Sequence, residues 1–151
     1  MVASQSSSCK LHAVACSSVC ADSAMLTTAR PIAFIPTRDT ARARPFYETT
    51  LGLRFLSDDG FALNFEVGSP AAPIHLRVVR VGDFSAQIFT IFGWEVPDVE
   101  TTVAELASRS VAMLRIQGMD QSPSGIWTAP GGARIAWFKD PDGNTLSVSQ
   151  F

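Results

Sequence analysis

Two aspartates, Asp39 and Asp98, stand 59 residues apart in matching surroundings. Each follows an apolar run of strand character, and each opens a stretch whose apolar residues recur at helical spacing. An aspartate in that place accepts hydrogen bonds from the free N–H groups of a helix's first turn. After Asp39 the apolar positions are Ala43, Phe46, Tyr47 and Leu51, with Gly52 placed to end the helix in a left-handed conformation. After Asp98 they are Val99, Val103 and Leu106, and Ser110 occupies the corresponding terminating place. Several short strand candidates follow each helix, so the chain repeats a β-α-β-β-β unit. Each sheet then has one face covered by its own helix. The other face is left for a cavity, for a partner subunit or for the second copy.

The strands read as residues 31–36, 54–56, 61–67 and 74–81 in the first copy. In the second they read as 90–96, 111–116, 125–128, 133–139 and 145–150. Asp58-Asp59-Gly60 and Gly68-Ser69-Pro70 mark turns. Asp140-Pro141-Asp142-Gly143-Asn144 marks a hairpin, because Pro141 presets φ, Gly143 tolerates positive φ, and Asp140 and Asn144 bond local backbone. Pro45 lacks an N–H inside the first helix and predicts a kink there, not a break.

Composition narrows the function classes. The chain has 151 residues, 46% of them hydrophobic and 17% charged, which suits one soluble globular domain. A net charge of −2 without any basic run argues against nucleic acid as a partner. No apolar stretch reaches the roughly 20 residues of a membrane span. The first 28 residues are rich in Ser and Ala and hold all three cysteines, Cys9, Cys16 and Cys20. They read as a disordered leader or an extension ahead of Met25, with a targeting segment and a cysteine metal site as the other readings. Residues 29–151 are cysteine-free and form the domain, for which a reducing, cytoplasmic setting is expected.

Asp39 with Phe46-Tyr47 and Leu51-Gly52-Leu53, the second helix from Asp98 to Leu106, and Trp137-Phe138-Lys139-Asp140-Pro141-Asp142-Gly143-Asn144 together carry a family resemblance. Over residues 30–151 the chain resembles the glyoxalase, bleomycin-resistance and extradiol-dioxygenase (vicinal oxygen chelate) superfamily. The resemblance implies an α+β fold of two tandem β-α-β-β-β modules, whose curled mixed sheets surround a cavity, and it implies a homodimer. In catalytic members of that superfamily a divalent metal sits in the cavity on His, Glu or Gln, taken from the first and last strand of each module.

Counting places those four positions at Ile32, His75, Ile91 and Ser147. Two isoleucines offer no donor and a neutral serine hydroxyl is a poor one, so metal-dependent chemistry is not expected. No residue is assigned as catalytic or as a metal ligand, and no cofactor is expected; a divalent metal in an atypical site built on His75, with Glu95 or Glu66, is the alternative. The expected cavity lining is Ile32, Phe34, Ile91, Ile135 and Trp137 with His75, Arg77 and Glu95, an apolar wall with few fixed polar groups. Arg77 and Glu95 are placed to pair across it, and residues 118–127, ending in Trp127, are placed to lid it. The candidate ligand-binding residues are therefore Ile32, His75, Arg77, Ile91, Glu95, Trp127, Trp137 and Ser147. The reading that follows is a metal-free protein binding an apolar or aromatic small molecule. A glyoxalase-type lyase or a dioxygenase, and an interaction module whose face is filled by a partner, are the competing ones.

Overall fold

The computed structural model describes Leu26 and residues 29–151. The leader assigned to residues 1–28 thus lies, Leu26 apart, outside the described residues. The first module comprises β1 (Ile32–Thr37), α1 (Thr40–Pro45), a π-helical turn (Phe46–Thr50), β2 (Arg54–Asp58), β3 (Ala62–Val67) and β4 (Ile74–Arg80). The second comprises β5 (Phe92–Glu95), α2 (Val99–Ser108), β6 (Trp127–Thr128), β7 (Arg134–Lys139) and β8 (Thr145–Gln150). Each module gives one four-stranded sheet, in the orders β1-β4-β3-β2 and β5-β8-β7-β6. In each, the strand before the helix runs parallel to the last strand, and the remaining pairs are antiparallel.

Both aspartates cap as expected. Asp39 Oδ1 accepts from the N–H of Ala41 at 2.9 Å, and Asp98 Oδ1 accepts from that of Glu100 at 3.0 Å. The proline changes the helix type instead of merely bending it. From Phe46 onward the chain is π-helical, and the N–H of Leu51 reaches the carbonyl of Phe46 at 2.8 Å. The residue after Pro45 begins a wider turn because proline supplies no N–H to the α-helical ladder. Gly52 and Ser110 both end their helices at positive φ, +74° and +64°.

Residues 111–116 are not a strand, contrary to expectation. The segment makes only an isolated bridge, Met113 to Phe138. The N–H of Leu114 reaches the Trp137 carbonyl at 2.7 Å, and a side chain takes over beyond it: Gln121 Oε1 accepts from the N–H of Ile116 at 2.7 Å, and Gln121 Nε2 donates to the carbonyl of Leu114 at 3.0 Å. The strands expected over 90–96 and 125–128 are shorter, beginning at Phe92 and at Trp127.

Strand alternation sorts the side chains. Ile35, Leu63, Phe65, Leu76 and Val78 of the first sheet join Ala136, Phe138, Leu146 and Val148 of the second in a single buried cluster with Ala43, Tyr47, Val99, Val103 and Leu106 from the helical segments. Trp94 belongs to this side too, stacked on Phe138 with ring centroids 6.3 Å apart. The opposite face of each sheet is left outside that core. The modules are also tied by polar contacts from the β7–β8 turn. Asn144 Nδ2 donates to the carbonyl of Pro36 at 2.9 Å, and the Thr37 hydroxyl donates to Asp142 at 2.5 Å.

Candidate functional site

The open face of the first sheet carries Ile32 and Phe34 on β1, Asn64 and Glu66 on β3, and His75 and Arg77 on β4. Ile32 is the cross-strand partner of His75, and Phe34 that of Arg77. Ile32 is 51% and Phe34 60% exposed, a large apolar area to leave uncovered. The polar groups there bind one another. His75 Nε2 lies 3.0 Å from Asn64 Oδ1, Asn64 Nδ2 donates to Asp59 Oδ2 at 3.2 Å, and Arg77 donates to the same oxygen at 2.6 Å. The backbone N–H groups of Ala62 and Phe61, then Asn64 and Arg77, hold the Asp59 carboxyl below the usual carboxylate range. Arg54 bonds Glu66 at 2.8 Å.

The expected Arg77–Glu95 pair does not form, because Asp59 takes Arg77 within the first sheet and Glu95 lies on β5 of the second. Glu66 is spent on Arg54, although His75 is its cross-strand partner.

The open face of the second sheet is aromatic. Trp127 and Trp137 approach with ring centroids 6.1 Å apart and planes inclined by 37°. Trp127 lies across from Ile135, and Trp137 across from Ser147. The indole N–H of Trp137 donates to the Thr90 hydroxyl at 3.0 Å, which fixes the ring's orientation. Ser147 is 5% exposed at the floor of this face. Its partner on β5 is Gly93, not Ile91. Counting back from Asp98 fails there because β5 starts only at Phe92; Ile91 sits at a bend before it, half-buried against the core. A Cβ on Gly93 would lie 2.5 Å from Ser147 Oγ and 3.2 Å from the Ser147 carbonyl oxygen, so a larger residue there makes Ser147 shift.

The structure thus keeps His75, Arg77 and Ile32 together on one sheet and Trp127, Trp137 and Ser147 together on the other. Of the eight candidates, Glu95 borders a separate apolar hollow of about 230 Å³ on the core side, with Leu51, Leu53, Trp94, Leu106 and Phe138 among its walls. Sequence reasoning passed over Asn64, Thr90, Gly93 and Lys139; the last was legible, since alternation along β7 carries it to the same face as Trp137.

The donor set does not fit a divalent ion. The positions equivalent by register are Ile32 and His75 on the first sheet and Gly93 and Ser147 on the second, so the one nitrogen donor is His75, already bonded to Asn64. Among the described residues no three His, Cys, Asp or Glu side chains converge on a point. No helix among them is long and apolar enough to cross a membrane.

Two sheets in parallel-edged β-α-β-β-β halves, with helices on the shared side and free outer faces, define a glyoxalase-like α+β protein. Solved structures share this architecture. A glyoxalase/bleomycin resistance protein/dioxygenase superfamily member from Sphaerobacter thermophilus is 22% identical with a TM-score of 0.61, covering 81% of this chain and 96% of that one. TnmS3, an antibiotic binding protein from a Streptomyces species, is 24% identical with a TM-score of 0.56, covering 80% and 93%. Lactoylglutathione lyase from Agrobacterium tumefaciens is 18% identical with a TM-score of 0.56, covering 82% and 93%. At these identities the likeness is one of fold. No curated protein matches the chain. The model of the Glyoxalase/Bleomycin resistance protein/Dioxygenase superfamily matches residues 28–148, and the chain belongs to that family.

Proposed function

We propose that this protein is a metal-free binder of apolar or aromatic small molecules, working as a cytoplasmic homodimer. The observation that carries the reading is the Trp127–Trp137 pair, a fixed aromatic wall on a sheet face whose metal-ligand positions hold glycine and serine. Indole faces offer stacking area at small conformational cost, because Thr90 already holds one ring. The exposed Ile32 and Phe34 support the dimer: a second copy laid over the open faces would cover them and enclose the ligand. That a solved neighbour of the same fold is an antibiotic binding protein is in keeping with this use.

The test is calorimetric titration of chelator-treated protein with a neutral aromatic probe, methyl 2-naphthoate, beside a panel of larger polycyclic compounds. Saturable binding that Trp137→Ala removes is the expected result. Silence across the panel overturns the reading. A stoichiometric divalent ion in protein purified without chelator, lost in His75→Ala, replaces it with an enzyme.

A further inference from the structure

On the first sheet the charges of the open face cancel, Arg77 against Asp59 and Arg54 against Glu66. On the second they do not. Lys139 follows Trp137 by two residues on β7, so the two side chains share a face about 7 Å apart along the strand. Its ammonium donates to the hydroxyl of Thr145, its cross-strand partner, at 2.7 Å. Thr145 in turn gives its proton to the carbonyl of Gln87 at 2.7 Å. An ammonium has three N–H donors, and this neutral hydroxyl takes one. Among the described residues no carboxylate pairs with Lys139. Glu95, the acid on β5, stands level with Ser149, four residues from Thr145 along β8 and so about 13 Å away in that direction alone. Lys139 also borders a hollow beside Phe46 and Arg109, while its ammonium is bonded to Thr145, which shares a face of β8 with Ser147 one rung from Trp137.

A half-buried cation without a counterion, next to an aromatic wall, specifies the charge of what binds there. We propose that Lys139 is the specificity-determining residue of the site and that the ligand is an aromatic anion, a carboxylate or a phenolate. Its ring lies on Trp127 and Trp137 and its oxygen accepts from Lys139 Nζ. The inference rests on the aromatic-binding reading above and adds the ligand's charge to it.

The experiment compares 2-naphthoate with methyl 2-naphthoate by calorimetry on the full chain, at two salt concentrations. In the parent protein the acid binds about tenfold more tightly than the ester, and the margin narrows in high salt. Lys139→Gln brings the two to equal affinity while the ester's affinity is kept, and Lys139→Arg restores the margin. Equal binding of acid and ester by the parent protein overturns the inference and leaves aromatic binding standing. So does a margin that survives Lys139→Gln but disappears in Arg77→Gln, which moves the anion to the first sheet. If neither compound binds, while larger neutral polycycles do, the inference is again lost; if nothing binds, the parent reading falls with it.

Discussion

The Tyr47 hydroxyl donates to Asp140 Oδ2 at 2.7 Å, joining the π-helical turn of the first module to the β7–β8 turn of the second. Asp140 also gathers the backbone N–H groups of Asp142 and Asn144 on Oδ1 and the Asn144 amide on Oδ2. Both residues are buried. Burial first, and then the charge of Asp140, push the Tyr47 hydroxyl far above its ordinary pKa, so it remains a donor throughout the working range. The turn that closes a hairpin is therefore also the point where the modules are fastened.

Removing that hydroxyl with Tyr47→Phe is expected to cost about 1–2 kcal/mol of unfolding free energy, and Asp140→Ala more, since it orphans a buried donor and the turn's N–H groups together. Urea denaturation of the single and double variants checks this, with a coupling above about 0.5 kcal/mol expected for a direct pair.

Ser110 takes φ +64° at the end of α2, a conformation that suits glycine. Ser110→Gly should stabilise the protein by a few tenths to about 1 kcal/mol, the relief of backbone strain exceeding the added freedom of the unfolded chain. A rise in Tm of a few degrees, with unchanged circular dichroism, is the expected reading.

Gly93 and Ser147 lie directly opposite one another on β5 and β8, and a methyl group on Gly93 would fall 2.5 Å from Ser147 Oγ and 3.2 Å from the Ser147 carbonyl oxygen. Gly93→Ala should therefore destabilise by about 1–3 kcal/mol as the strands are forced apart. Adding Ser147→Ala should recover part of the loss. An additive double variant would show that the contact does not govern this edge.

A helix cap and a turn carboxylate give the domain an acid limit. Hydrogen bonding by Thr101 lowers the Asp98 carboxyl, against a partial opposing effect of desolvation, and the backbone N–H groups of Ala62 and Phe61 lower that of Asp59. A carboxyl depressed in the folded state binds protons more readily when unfolded, so its contribution is present above the unfolded pKa of about 4 and is lost as the pH falls through the folded value. Thermal melts should lose Tm below about pH 4, and Asp98→Asn, which still caps but does not titrate, should flatten the decline. An unchanged slope would place the acid lability elsewhere.

Binding of an aromatic probe should be indifferent to chelators and to added divalent ions. His75 is the single nitrogen donor among the four positions and is engaged by Asn64. Titrations in chelator and in millimolar zinc, giving the same affinity within about twofold, are the expected result; a tenfold gain with metal contradicts it.

The repeat, the helix caps and the two-faced strands were legible in the chain itself, because Asp39, Asp98 and the alternation in β7 and β8 act through local backbone chemistry. Placing Trp94 and Phe138 in the core and Trp137 on the other face needed only that alternation. Register was another matter. Whether Ile91 or Gly93 meets Ser147 depends on where β5 begins, and the Gln121 side chain, not a continued ladder, takes the Leu114 carbonyl and the Ile116 N–H. Charge partners were equally hidden: Arg77 goes to Asp59, and among the described residues Lys139 meets a hydroxyl and no acid, because folding decides which side chains come within a few ångströms. Periodicity is a property of neighbours in sequence, and fixed the elements and their faces. Ion pairing and cross-strand opposition are properties of distance in space, which only the tertiary structure set.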